Sequence, residues 1–252
     1  MSEQVKSQKK FHIKNISLLV TSLLFIGLFS VGAAAYPKFL SLSTFCNLLN
    51  DGSYLIIASI GITFVLLTGG IDISISSTIA FTCVFSAFLL RTGVPAGVVI
   101  PLVLLIGLLF GALMGFMINA YRLQPFIVTL AGQFFMRGLC AVISTESIPI
   151  TDDFYKKMAL TKLSFLGAKI YFYVFIAAAV LIAAMFTLKF TRFGRTVYAV
   201  GGNEQSASLM GLPVGRTKVT VYAISGFCAA LAGVVFSFYT LAGYSLQNVG
   251  MD

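Results

Sequence analysis

The sequence predicts an all-α, polytopic transmembrane helical bundle of about seven spans. Its 252 residues are 58% hydrophobic and only 10% charged. Mean hydropathy is +0.98, and several windows of roughly 20 residues, enough to cross ~30 Å of hydrocarbon, carry few or no charges. That apolar content exceeds what one soluble core of this length can hide. The spans fall at about 17–36, 53–69, 71–90, 97–118, 125–145, 170–188 and 219–240. All read as helices, because backbone polar groups in lipid must be satisfied within their own segment and the weak alternation of a β-barrel is missing. Residues 1–16 form a basic arm, residues 17–252 a membrane domain, and residues 189–218 a long polar connector inside it.

Taken in order, "MSEQVKSQKKFHIK" leads into "NISLLVTSLLFIGLFSVGAAAY". That run ends in an A-x-A pattern at Ala33–Ala35 but is longer than a secretory h-region, so it reads as an uncleaved first helix. Gly69 and Gly70, in "TGGIDISISS", mark either a reversal between the second and third spans or a break in one span over 53–90, and the Lys and Arg counts, ten against six rather than nine against seven, favour the reversal. The fourth span carries Gly107, Gly111 and Gly115, and the seventh Ser225, Ala229 and Gly233, at the spacing that lets two helices approach closely. Pro125 suits the start of the fifth span. Tryptophan is absent, so the interfacial belt rests on the ten tyrosines.

The net charge of +9 does not make a nucleic-acid surface, because Lys and Arg sit in short connectors and the arm. With a reversal at Gly69 and Gly70, one side collects Lys6, Lys9, Lys10, Lys14, Arg122, Lys189, Arg192, Arg195, Arg216 and Lys218. The other collects Lys38, Arg91, Lys156, Lys157, Lys162 and Lys169. The richer side is cytoplasmic by the positive-inside rule, with the N-terminus and the 189–218 connector on it and "ESIPITDDFYKK" outside. Cys46, Cys83, Cys140 and Cys228 are far apart and only one histidine, His12, is present, so the cysteines read as small packing residues rather than metal ligands or a disulfide scaffold. No H-E-x-x-H, G-x-S-x-G or Walker loop is present, which argues against an intramembrane enzyme.

The connector "KFTRFGRTVYAVGGNEQSASLMGLPVGRTK" is too polar to cross and is punctuated as a short helix. Asn203 caps its start, Glu204 sits in the first turn, Gly211 supplies a left-handed exit, and Pro213 stops continuation. Ala207, Leu209 and Met210 give it an apolar face, and a helix of about two turns needs something to dock on.

Two charges lie within apolar chain. A carboxylate at mid-bilayer costs about 2.5–3.5 kcal/mol, so Asp72 needs a partner or a pathway. Either it caps the free N–H of Ser74 or Ile75 near the cytoplasmic end of the third span, or Asp72, Ser74 and Ser76 line an inner gate. Arg137 has Gln133 one turn away on the same face. Those two either face a polar path, or Arg137 snorkels outward or pairs with Glu146.

"RTVYAVGGNEQSASLMGLPVGRTKVTVYAISGFCAALAG" resembles the cytoplasmic coupling segment of membrane permeases in ATP-driven monosaccharide importers of the ribose and galactose type. "LLTGGIDISISSTIAF" and "LQPFIVTLAGQFFMRG" are similar to two earlier signatures of that family, and "CNLL", "ESIPI" and "FSFYTLAGYSL" bring the likeness nearest to galactofuranose importer permeases. The resemblance implies a second permease chain (homo- or heterodimer), ABC ATPase subunits below, a periplasmic sugar-binding protein above, and a multi-pass place in the bacterial inner membrane. It implies that Gly201, Gly202, Asn203, Glu204, Ser206, Ala207, Leu209, Met210 and Gly211 couple to the ATPase, which alone binds ATP, so that this chain needs no cofactor. Such permeases continue past the point where this chain reads "NVGMD", so the resemblance also implies a C-terminal truncation. The rivals are an ion-coupled secondary transporter, with Asp72 and Arg137 as a relay, and a nonfunctional permease fragment.

Overall fold

The computed structural model describes residues 16–36, 39–165 and 168–243. The apolar runs fold as helices, in the order α1 (Ile16–Ala35), α2 (Leu42–Leu67), α3 (Ile75–Arg91), α4 (Ala96–Ala120) and α5 (Pro125–Ile143). After these come β1 (Ile148–Pro149), α6 (Asp153–Leu160), β2 (Lys162–Phe165), β3 (Ala168–Tyr171) and α7 (Phe172–Phe190). The order ends with α8 (Arg192–Gly202), α9 (Glu204–Leu209), α10 (Val214–Thr240) and β4 (Ala242–Gly243). Two compact units divide the chain, Met1–Phe45 and Cys46–Asp252. In the first, Phe29 of α1 meets Phe39 edge-on at 5.2 Å. The second holds the bundle.

Among the described residues five helices, α2, α4, α5, α7 and α10, are long and apolar enough to cross a membrane. The expected third span is shortened: α3 has 17 residues, about 25 Å at 1.5 Å per residue, and begins at Ile75 instead of 71. The four short strands were not foreseen; β1 pairs with β4 and β2 with β3, both antiparallel.

α10 is the centre on which α2, α3 and α4 pack. The glycine row of α4 faces it: a Cβ at Gly115 would stand 2.8 Å from Val219 Cα, and one at Gly111 would fall onto the Tyr222 carbonyl. Close backbone approach of this kind needs small side chains. The partner surface on α10 is Tyr222, Gly226 and Ala230. The expected row of Ser225, Ala229 and Gly233 faces elsewhere, with Ser225 near Gly61 of α2 and Gly233 against Ile79 and Thr82 of α3. On the far side of α4, Leu105, Leu109, Leu113 and Phe116 are more than half exposed, one stripe at helical spacing that suits lipid.

These contacts fix direction. Tyr54 of α2 lies tilted against Phe236 at 4.5 Å while Gly61 meets Cys228, so α2 runs antiparallel to α10; α3 runs parallel to it, with Asp72 just before it at Ser225 and Thr82 at Gly233. The chain therefore reverses at Gly69, whose φ of 74° is a left-handed value that glycine accepts without strain. One end of the bundle gathers Arg122, Lys189, Arg192, Arg195, Arg216 and Lys218, with α8 and α9. The opposite end gathers Arg91, Lys156, Lys157, Lys162 and Lys169, with the short strands and α6. Lys6, Lys9, Lys10, Lys14 and Lys38, which supply most of the expected asymmetry, lie outside the described residues, as does His12. All four cysteines are buried and free.

Candidate functional site

The connector between α7 and α10 folds into two helices where one was expected. Thr191 caps α8 by accepting from the Gly194 N–H at 3.1 Å, and Gly194, Val197 and Val200 bury one face at a spacing of three. Asn203 ends α8 and caps α9, its Oδ1 accepting from the Ser206 N–H at 2.7 Å. Gly211 has φ 76°. Its N–H donates to the Ser208 carbonyl at 2.9 Å while Leu212 N–H donates to the Ala207 carbonyl at 3.1 Å, the paired bonds of a Schellman exit. Both expected caps are thus in place.

The expected apolar face of α9 divides in two. Ala207 is fully buried, whereas Leu209 and Met210 are 90% and 69% exposed. Glu204 reaches Lys218 at the start of α10, Oε1 to Nζ 2.7 Å. Gly202 and Ser206 lie at the surface. Gly201 is exposed on one side, but a Cβ there would collide with the Leu67 carbonyl, so α8 lies hard against the last turn of α2. Beside α9 opens a groove of about 1090 Å³, walled by Leu209, Glu204, Lys218, Asn119, Arg122 and Pro125 among others. It runs between α9 and the turn joining α4 to α5.

Asp72 occupies the crossing from α2 to α3 and is 4% exposed. Its Oδ1 accepts from the Ser74 N–H at 3.0 Å and the Ser74 hydroxyl at 2.7 Å. Its Oδ2 accepts from the Ser225 hydroxyl of α10 at 2.6 Å. The expected cap on Ser74 is present; Ile75 is not its partner, and Ser225 was missed. Tyr222, also missed, donates its hydroxyl to the Ile71 carbonyl at 3.1 Å, and its ring end is what a Cβ at Gly70 would strike. Ser225 lies eleven residues into α10, about 16 Å from that helix's start, so Asp72 sits well inside the bundle. Irregular backbone at that depth is tolerated where protein covers it, and here Gly70, Asp72 and Ser74 are all buried.

Ser74 and Ser76 are buried, at 1% and 4% exposure, and the Ser76 hydroxyl has no hydrogen-bond partner among the described residues. Gln133 and Arg137 stand one turn apart on α5, both half-buried. Arg137 lies beside Cys140, and Cys140 neighbours Cys83, about two turns into α3 from its start. The structure therefore brings Asp72, Ser74 and Ser225 together and keeps Arg137 apart from them.

The family described as "Branched-chain amino acid transport system / permease component" matches residues 44–252. The chain belongs to that permease family. It is 41% identical over 247 residues to the inner membrane ABC transporter permease protein YjfF of Escherichia coli K12, covering 95% of this chain and 73% of the relative. With the fructose import permease protein FruG of Bifidobacterium longum it shares 38% identity, over 100% of this chain and 77% of the relative. With the ribose import permease protein RbsC of E. coli K12 it shares 31%, over 93% and 74%. These relatives are permease proteins, the first of them of an inner membrane ABC transporter, and not enzymes. No solved structure matches the chain.

Proposed function

We propose that this chain is the membrane-spanning permease subunit of an ATP-driven monosaccharide importer, with galactofuranose or a related sugar as cargo. The observation that carries the proposal is α9: a helix capped at both ends, joined through Asn203 to an α8 that is wedged on α2 at Gly201, and turning Leu209 and Met210 outward at the rim of a groove. Two large apolar side chains at such exposure on a rigid, well-ended element form a docking edge. In this reading an ABC ATPase subunit seats on α9 and the groove, the N-terminus and α8–α9 face the cytoplasm, and a periplasmic sugar-binding protein meets the opposite end. A second permease chain completes the path. The fructose and ribose importers among the relatives support a monosaccharide cargo, and the "ESIPI" and "FSFYTLAGYSL" likeness supports galactofuranose within that class.

The Asp72–Ser74–Ser225 tie holds the inner end of α3 to α10; in this reading Asp72, Ser74 and Ser76 line an inner gate, while Gln133 and Arg137 offer polar groups along α5. ATP chemistry resides in the partner. Co-expression with an ABC ATPase and a sugar-binding protein, followed by uptake of ribose, fructose and galactofuranose, tests the proposal. ATP-dependent uptake of one of them supports it. Uptake driven by a proton or sodium gradient without any ATPase overturns it in favour of a secondary transporter.

A further inference from the structure

At the end of the bundle opposite α9, a pocket of about 270 Å³ opens between the first turns of α2, the start of α7 and the last turn of α10. Its volume is close to the lower limit of about 300 Å³ for small-molecule sites, the scale of one small ring rather than a chain. Asn47 and Asp51 are four residues apart on α2 and so share a face; both are exposed. Asn50, between them in the helical net and 3% exposed, is spent on construction. Its Nδ2 donates to the Lys169 carbonyl at 2.9 Å and its Oδ1 accepts from the Tyr171 N–H at 3.1 Å, which pins the β3 strand over the pocket. Tyr171 and Tyr173 stack with ring centroids 5.4 Å apart and planes 5° from parallel, and Tyr239, half exposed, closes the remaining side next to Asp51.

We propose that this pocket is a binding site for a single monosaccharide ring, taken up as sugar enters the permease. The inference rests on the sugar-importer reading and adds a site to it. A sugar presents adjacent hydroxyls along its edge and C–H bonds on its faces. A carboxylate accepts from two neighbouring hydroxyls, an amide one turn away both donates and accepts, and tyrosine rings take the C–H face while their own hydroxyls bond its rim. A lipid tail finds too many polar atoms here. A quaternary ammonium is held by ring faces alone and leaves the carboxamide of Asn47 unused.

The full chain, reconstituted in lipid nanodiscs, is titrated with D-ribose, D-fructose and D-galactose, and with choline chloride as the cationic probe. Because the protein has no tryptophan, tyrosine emission reports binding directly. The expected result is saturable binding of at least one sugar, weakened about tenfold or more in Asp51→Asn and in Tyr239→Ala, with unchanged helical circular dichroism. No saturable binding of any of the three sugars to the wild-type chain overturns the site, as does Asp51-dependent binding of choline alone. Sugar uptake by the complete ATPase-driven system that is the same in wild type, Asp51→Asn and Tyr239→Ala, with no binding to the isolated chain, removes the site but leaves the importer reading standing. Absence of ATP-driven uptake of every sugar removes both.

Discussion

At the residue scale, the punctuation of α9 and the role of Asp72 behave differently. Asn203 and Gly211 act through atoms within five residues of themselves, so their type and order announced the helix. Asp72 acts through Ser225, 153 positions away; nothing local marks that serine, which reads as one more small residue on a packing face. The Asp72→Ala variant leaves the Ser225 hydroxyl and the Ser74 N–H buried without an acceptor, at about 1–3 kcal/mol for each group. We expect a clear fall in the thermal midpoint in detergent, with Asp72→Asn much milder because its amide oxygen still accepts from Ser74. Equal midpoints for wild type and Asp72→Ala refute the tie. Glu204 is a different case. Its pair with Lys218 is surface-exposed, where ion pairs contribute about 0–1 kcal/mol. Glu204→Ala therefore leaves insertion and thermal midpoint nearly unchanged while lowering transport-coupled ATP hydrolysis; a variant with normal coupling counts against a docking role.

At the scale of elements, helix existence was legible because length and apolarity alone decide it in lipid. α8 was not, since its buried Gly194, Val197 and Val200 look like ordinary loop residues until α7 and α2 are there to cover them. The glycine row of α4 was legible and its partner was not: one helix cannot show which of two small-residue faces on another it will meet. Gly111→Ala puts a methyl into the Tyr222 carbonyl and should lower stability by about 1–3 kcal/mol. Gly138→Ala on α5, where no atom lies within 4 Å, should be neutral or stabilising by up to about 1 kcal/mol. Similar midpoints for the two variants contradict the α4–α10 packing. α6 gives a test by pH. Tyr155 is fully buried under Phe238, and burial pushes its phenol up to about 12, despite the nearby Ser86 and Ser237 hydroxyls. A raised folded-state value means the contribution is intact below the ordinary tyrosine pKa of about 10 and is lost as pH climbs through 12. Wild type should lose stability across that alkaline window more steeply than Tyr155→Phe, and parallel pH profiles of the two midpoints exclude the effect.

At the scale of the whole molecule, α2, α3 and α4 converge on α10, and α8 leans on the end of α2, so a push on α9 has a packed route into the core. Gly201 is the narrowest point on that route, because only hydrogen fits against Leu67. The pocket opposite α9 and the shortness of α3 were beyond the sequence, for both depend on where separate helices come to rest. The most direct measurement places a single reporter on the docking edge. Leu209→Cys, with the four native cysteines buried, is cross-linked in the assembled complex and labelled in intact cells. The account predicts a cross-link to the ATPase subunit and no reaction with a membrane-impermeant thiol reagent added outside. Labelling from outside, or a complex in which Leu209→Cys never reaches the ATPase, contradicts it.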